Sequence, residues 1–135
     1  MKKLISILIV LLFLSACDNG QSGHAGHHNS GSSEKLAPLK VSLTVPEKAQ
    51  AGDKVDLKAK VTYGKDNVND ADEVMFEIIK DNKAKSSVKE KVAQAKAGVY
   101  TLKYSFDKPG TYTIISHVTA KNQHTMPDAD IVISK

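Results

Sequence analysis

The feature that most constrains how this 135-residue chain can fold is a two-residue alternation of apolar and polar side chains. Successive side chains of a β-strand point to opposite faces, so each alternating segment is predicted to be a strand with one face in a core. The alternating segments are residues 39–45, 55–61, 73–80, 99–106, 111–120 and 129–134. In the third of these, Val74, Phe76 and Ile78 are expected to point inward.

A lysine- and alanine-rich stretch, residues 80–97, has the composition of a helix but lacks a continuous apolar stripe. We interpret it as an edge strand with its turns, and Val88 and Val92 lie in that strand. Seven short strands at this spacing predict an all-β fold, an immunoglobulin-like sandwich of about seven antiparallel strands.

The run D-K-P-G-T-Y-T-I at residues 107–114 resembles the corner that precedes strand F of immunoglobulin-like domains. The resemblance implies that the hydroxyl of Tyr112 bonds to nearby backbone and that Ile114 stands where such domains carry a disulfide cysteine. The two sheets are therefore expected to be held together without a disulfide.

The N-terminus, M-K-K-L-I-S-I-L-I-V-L-L-F-L-S-A-C, has a basic start and a short apolar run, which predicts a signal peptide over residues 1–16. Its end, L-S-A-C, resembles the lipobox of bacterial lipoproteins. That resemblance implies that Cys17 receives a lipid and becomes the first mature residue, anchoring the protein to the extracytoplasmic face of the cell membrane. The alternative is an ordinary secretory signal that is cut near Ala16 and leaves a free thiol.

Residues 17–37 are rich in Gly, Ser, Asn and His, and such a segment is predicted to be a flexible linker of some ~25 Å average reach. Residues 38–135 are long enough for one small domain. Loss of residues 1–16 removes two of 19 lysines and none of 15 acidic residues, so the mature charge is 17 minus 15, or +2. This mild excess, with no arginine, argues against a nucleic-acid partner.

Two histidines and a methionine gather near the C-terminus in H-V-T-A-K-N-Q-H-T-M-P, residues 117–127. Strand alternation places His117, His124 and Met126 on one outer face of a hairpin. A two-residue loop at residues 122–123 would pair Thr119 with Met126 and separate the histidines by about 13 Å. A four-residue loop would pair His117 with Met126 and bring all three together, and both registers are open at this point.

Met75 lies on the neighbouring predicted strand and is expected to share this outer face. Imidazole suits copper and several other transition metals, whereas thioether sulfur favours Cu(I). The set therefore predicts a copper site at His117, His124, Met126 and Met75. His24, His27 and His28 of the linker form a second candidate metal-binding group.

The motifs G-V-Y-T-L-K-Y-S-F at 98–106, K-P-G-T-Y-T-I at 108–114 and the closing H-V-T-A-K-N-Q-H-T-M-P resemble the YtkA-like domain family, which overlaps the FixH-like group of exported bacterial proteins. The resemblance implies an exported sandwich with a role in copper handling. The His-x-Met pair at residues 124–126 also resembles that of periplasmic copper chaperones that supply cytochrome oxidase, and this second resemblance implies a copper-receiving membrane protein, such as an oxidase, as a partner. FixH-like proteins are usually held by a transmembrane helix, and here the lipid would replace it.

Two functions remain open on the sequence: a lipid-anchored copper-binding or metallochaperone domain, and a metal-independent protein-interaction module at the cell surface. No enzymatic activity is expected. The sequence has no nucleophile motif, no glycine-rich phosphate loop and no paired carboxylates beside a histidine.

Overall fold

The computed structural model describes residues 36–135. The predicted signal peptide, the lipidated Cys17 and the linker histidines His24, His27 and His28 lie outside these residues. Eleven strands and one 3-10 turn (Ala84–Ser86) follow one another in this part of the chain. The strands are β1 (Leu39–Thr44), β2 (Lys48–Gln50), β3 (Lys54–Tyr63), β4 (Asp66–Asn67), β5 (Glu73–Lys80), β6 (Val88–Lys91), β7 (Ala95–Lys96), β8 (Val99–Ser105), β9 (Gly110–Ala120), β10 (Gln123–Thr125) and β11 (Asp128–Ser134).

The strands form two sheets. The first has the order β1-β3-β8-β7, with β4 added to β3, and the second has the order β2-β11-β9-β5-β6, with β10 added to β9. Seven strands have four or more residues, and these correspond to the seven segments predicted from the sequence. The prediction of an all-β, immunoglobulin-like sandwich is confirmed, and the lysine- and alanine-rich stretch forms strands and a turn, not a long helix.

One pairing departs from the purely antiparallel prediction: β2 runs parallel to β11, with Ile133 beside Ala49. The chain reaches this position because it leaves β1 at the edge of the first sheet and crosses to the edge of the second. This crossing lets β2 cover part of the free edge of β11, and it leaves the other strands of the second sheet antiparallel.

The core lies between the inner faces of the two sheets. Leu57, Ala59 and Val61 of β3 have no exposed surface, and neither do Phe76 of β5 and Ile114 of β9. Burial of each large apolar side chain contributes roughly 1.5–3 kcal/mol to folding. The inward positions predicted for β5 are therefore the observed ones.

The hydroxyl of Tyr112 donates a hydrogen bond to the carbonyl oxygen of Lys108 at 2.8 Å, which confirms the predicted tyrosine corner. The ring lies 4.7 Å from that of Phe106, centroid to centroid, and so links the end of β8 to β9. Within residues 36–135, no helix has both the length and the apolar character needed to cross a membrane.

Candidate metal-binding face

The β9–β10 hairpin sets the spacing of the histidines. Lys121 and Asn122 form a two-residue turn and have φ values of 51° and 59°. Because both values are positive, the turn has the backbone twist that suits a tight hairpin. The pairs that follow are Ala120 with Gln123 and Thr119 with His124.

This register differs from the one predicted for a loop at residues 122–123, and it places the turn one residue earlier. Farther along, Asp128 of β11 pairs with Ile115 of β9 in the same register. Between the two paired segments, the backbone N–H of Ser116 donates to the carbonyl oxygen of Pro127 at 3.0 Å. Met126 therefore lies opposite His117, as in the register expected from the longer loop.

The two imidazole rings come close together on the outer face of the second sheet. Their centroids are 6.2 Å apart and their planes are inclined by 38°. Two imidazoles that bind one ion through nitrogens at about 2.0–2.1 Å have ring centres roughly 5–6.5 Å apart, so the observed separation permits shared ligation.

Each imidazole makes one hydrogen bond to a neighbouring side chain. Nε2 of His117 lies 2.8 Å from Oε2 of Glu77, and Nδ1 of His124 lies 2.8 Å from Oγ1 of Thr119. A carboxylate can only accept, so His117 carries its proton on Nε2 and keeps a lone pair on Nδ1. His124 keeps Nε2 for a ligand when its Nδ1–H donates to Thr119.

The methionines border the histidine pair. Met75 of β5 is the direct cross-strand partner of His117 and is half-buried. Met126 is 54% exposed, so its thioether is accessible from solvent. The structure thus brings Met75, His117, His124 and Met126 to one face, which we call the His/Met face.

Two glutamates flank this face. The hydroxyl of Ser87, then the His117 imidazole and the charge of Lys89, hold the pKa of Glu77 below its usual value. The pKa of Glu73 is lowered chiefly by its ion pair with Lys91, at 2.6 Å, with smaller contributions from His117 and His124. Both carboxylates are therefore ionised at neutral pH, and each has a lysine partner, Lys89 at 3.9 Å for Glu77 and Lys91 for Glu73.

The chemistry of the donor set decides which metal the residues fit. Within residues 36–135, no three His, Cys, Asp or Glu side chains come together as a potential metal site. The other candidate donors on this face are the thioethers of Met75 and Met126. Sulfur of this kind is a soft ligand that prefers Cu(I) to zinc, magnesium or calcium.

Three contributions were not predicted from the sequence: the hydrogen bonds of Glu77 and Thr119 to the imidazoles, and the role of Gln123. The side chain of Gln123 accepts from the N–H of Leu39 at 3.0 Å and donates to the carbonyl oxygen of Ala37 at 2.8 Å. It thus fixes the segment that leads into β1 beside the hairpin. The only sequence signal for these contacts is strand pairing, and they become visible once the register is known.

Comparison with known proteins gives a family match. The model of the YtkA-like family matches residues 33–117, which is 85 of the 135 residues. The match includes Met75, Glu77 and His117 and ends before His124 and Met126. None of the curated proteins matches the chain.

Solved structures support the fold. An engineered protein superposes with a TM-score of 0.55 at 14% identity, over 71% of this chain and 20% of its own. This chain therefore spans only a fifth of that protein's length. A superoxide reductase (neelaredoxin) from Ignicoccus hospitalis gives a TM-score of 0.50 at 15% identity, over 76% of this chain and 85% of its own. At such identities the likeness concerns the fold alone.

Proposed function

This chain belongs to the YtkA-like family, and we propose that it is a lipid-anchored, extracytoplasmic copper-binding domain that acts as a metallochaperone. The observation that carries the proposal is the His/Met face. On this face the centroids of the two imidazoles lie 6.2 Å apart, Met75 lies beside His117 on β5, and Met126 lies opposite His117 after β10. A bound Cu(I) would be held by His117, His124, Met126 and Met75.

The proposed roles of the ligands follow from their surroundings. His117 is partly buried, with 17% of its side chain exposed, and Glu77 orients its ring. His124 and Met126 are exposed on the hairpin and so remain accessible to a protein that receives the metal. A carboxylate behind a ligating histidine fixes the tautomer and raises the basicity of the ligand.

The linker histidines would add a capture site. Gln123 holds the segment that leads into β1 at the same hairpin that carries His124. The linker histidines His24, His27 and His28 precede that segment in the chain. We propose that these three side chains collect copper and pass it to the domain, and that a membrane protein such as an oxidase receives it.

The decisive test is a Cu(I) titration of the soluble domain against a competing chelator. We expect one equivalent to bind tightly to the unchanged protein, and His117→Ala, His124→Ala or Met126→Leu to weaken binding at least tenfold. Val132→Ala is the matched control, because Val132 is exposed on the same sheet and carries no donor atom. Equal weak uptake by all five proteins would refute the copper site.

Lipidation is tested separately. The mass of the unchanged protein should include a diacylglyceryl group on residue 17, and the mass of the Cys17→Ser protein should not. Absence of the lipid from the unchanged protein would contradict the lipid anchor while leaving the copper proposal intact.

The second candidate function is a metal-independent interaction module. It is favoured by the apolar side chains Met126 and Val132, which are 54% and 46% exposed on the outer surface of the second sheet. A partner protein that binds equally well with and without copper, and whose binding is lost in Val132→Ala, would support this function instead.

A further inference from the structure

The two outer faces of the sandwich differ sharply in charge. We call the outer face of the first sheet the lysine face. It carries six lysines and one acidic residue at the outward positions of its four main strands: Lys40, Lys54, Lys58, Lys60, Lys96, Lys103 and Asp56. Their orientation follows from strand alternation, because the intervening Val55, Leu57, Ala59 and Val61 are buried.

The outer surface of the second sheet is nearly balanced. Its outward positions carry the acidic residues Glu73, Glu77, Asp128 and Asp130, and the lysines Lys48, Lys89 and Lys91. Residues 36–135 contain 16 lysines and 13 acidic residues, which is a net charge of +3. Since the lysine face alone has a net charge of +5, the rest of this part of the chain is net negative.

We propose that the lysine face docks on an anionic phospholipid surface and thereby turns the His/Met face away from the membrane. The proposal depends on charge complementarity and on the position of the face relative to the predicted anchor, not on copper binding. The described chain begins at residue 36, next to β1, which is an edge strand of the lysine face. About twenty residues separate it from Cys17, which is enough for the face to lie flat on the lipid at a distance of some ~25 Å from the anchor.

The chemistry of the face fits lipid headgroups better than a protein or a nucleic acid. The other outward side chains of its main strands are small or polar, apart from Val99: Ser42, Thr44, Thr62, Thr101 and Ser105. Protein interfaces usually rely on aromatic and arginine anchors, and single-stranded nucleic acids require stacking platforms. Among the outward positions of these described strands none is aromatic, and the chain has no arginine.

Most of these lysines are available to headgroups. Lys40, Lys54, Lys58, Lys96 and Lys103 are exposed, and Asp56 neutralises only part of their charge through its 2.9 Å ion pair with Lys103. Lys60 is half-buried and donates to the carbonyl oxygen of Ala97. Each lysine close to an anionic leaflet strengthens binding about fivefold, and the attraction decays over roughly 8–10 Å at physiological salt.

The test is co-sedimentation of the mature chain, residues 17–135 with Cys17→Ser, with vesicles of phosphatidylglycerol and phosphatidylcholine or of phosphatidylcholine alone. We expect binding only to the anionic vesicles, and weaker binding as salt is raised. The combined variant Lys40→Gln, Lys54→Gln and Lys58→Gln should lower the partition coefficient on the order of 100-fold. Its folding is checked by circular dichroism.

The matched control is Lys83→Gln, Lys85→Gln and Lys108→Gln, which removes the same charge from exposed loop positions. It should keep most of the vesicle binding. Equal losses in both variants would show an effect of net charge alone and overturn the proposal. Absence of any preference for anionic vesicles would also overturn it, as would tight binding to a soluble polyanion such as heparin without binding to vesicles.

Discussion

The hydroxyl of Tyr112, in β9, donates one hydrogen bond to the carbonyl oxygen of Lys108 in the loop that precedes this strand. Loss of this bond in Tyr112→Phe is expected to lower the free energy of unfolding by about 1 kcal/mol at neutral pH. The ring contact with Phe106 is retained in the variant, so the fold should be unchanged. Urea unfolding monitored by circular dichroism measures the difference.

The same residue sets a limit on stability at high pH. Burial raises the pKa of the Tyr112 phenol above its ordinary value of 10.0. The folded state therefore holds this proton more tightly than the unfolded state. The contribution of the Tyr112 phenol to the free energy of unfolding is complete below pH 10.0 and is lost as the pH rises through the folded-state pKa. The Tyr112→Phe protein should lose stability less steeply above pH 10.0, although Tyr104, whose pKa is also raised, keeps part of the slope. Equal slopes would contradict this account.

Glu77 is expected to act through His117, since its carboxylate accepts from Nε2 at 2.8 Å. The amide of Glu77→Gln can either accept a hydrogen bond from the imidazole or donate one to it. Both neutral tautomers of His117 should therefore be populated in this variant. Nitrogen NMR of the metal-free domain detects this change directly. Cu(I) affinity should fall by about 10- to 100-fold, as for other partners of ligating histidines.

Glu73→Gln serves as the control for this prediction, because Glu73 is paired with Lys91 and lies on the same strand. It should leave the tautomer of His117 unchanged and alter copper affinity little. A similar loss of affinity in both variants would mean that the charge of the carboxylate matters, not the orientation of the imidazole.

At the scale of elements, the β9–β10 turn is the feature that brings the histidines together. Lys121 and Asn122 both adopt positive φ, which costs a non-glycine residue roughly 1–2 kcal/mol. Lys121→Asn combined with Asn122→Gly gives the sequence that such turns prefer. We expect a gain of about 1 kcal/mol, which corresponds to an increase of roughly 4–8 °C in the melting temperature of a domain of this size.

The substitution removes the exposed ion pair of Lys121 with Asp70, and a pair of this kind contributes little. Asn67→Gly is the control, because Asn67 lies in β4 and is not among the residues with positive φ. It should destabilise the domain. A lower melting temperature in the turn variant would show that the turn geometry is not a source of strain.

Alternation of side chains predicts which residues share a face, because both registers considered for the hairpin keep odd positions of β9 with even positions of β10 and β11. It does not predict how far apart they lie. That distance depends on the turn, and K-N-Q is compatible with turns at either of two positions. The sequence predicts that β5 lies beside β9, but it does not predict the register of that pairing, which joins residues about 40 positions apart, such as Met75 and His117. Glu77 therefore escaped prediction as a partner of His117.

At the scale of the whole molecule, the sandwich carries the candidate metal ligands on one outer face and most of its outward lysines on the other. The core is built from buried apolar side chains of both sheets, and within residues 36–135 there is no cysteine that could link them. The candidate ligands lie on β5, β9 and the segment that follows the hairpin turn. A metal bound there would connect three parts of one sheet without altering the core.

Copper should therefore stabilise the entire domain, not the hairpin alone. A ligand at 100 times its dissociation constant adds about 2.7 kcal/mol to the free energy of unfolding, or roughly 10–20 °C in melting temperature for a domain of this size. Thermal unfolding with Cu(I) under reducing conditions measures this shift.

His124→Ala is the first control. Without metal it should melt within a few degrees of the unchanged protein, since His124 is exposed, but copper should raise its melting temperature much less. Zinc should raise the melting temperature of the unchanged protein far less than Cu(I) does, because thioethers are poor ligands for zinc. An equal shift for the His124→Ala protein, or for zinc, would mean that the metal binds elsewhere.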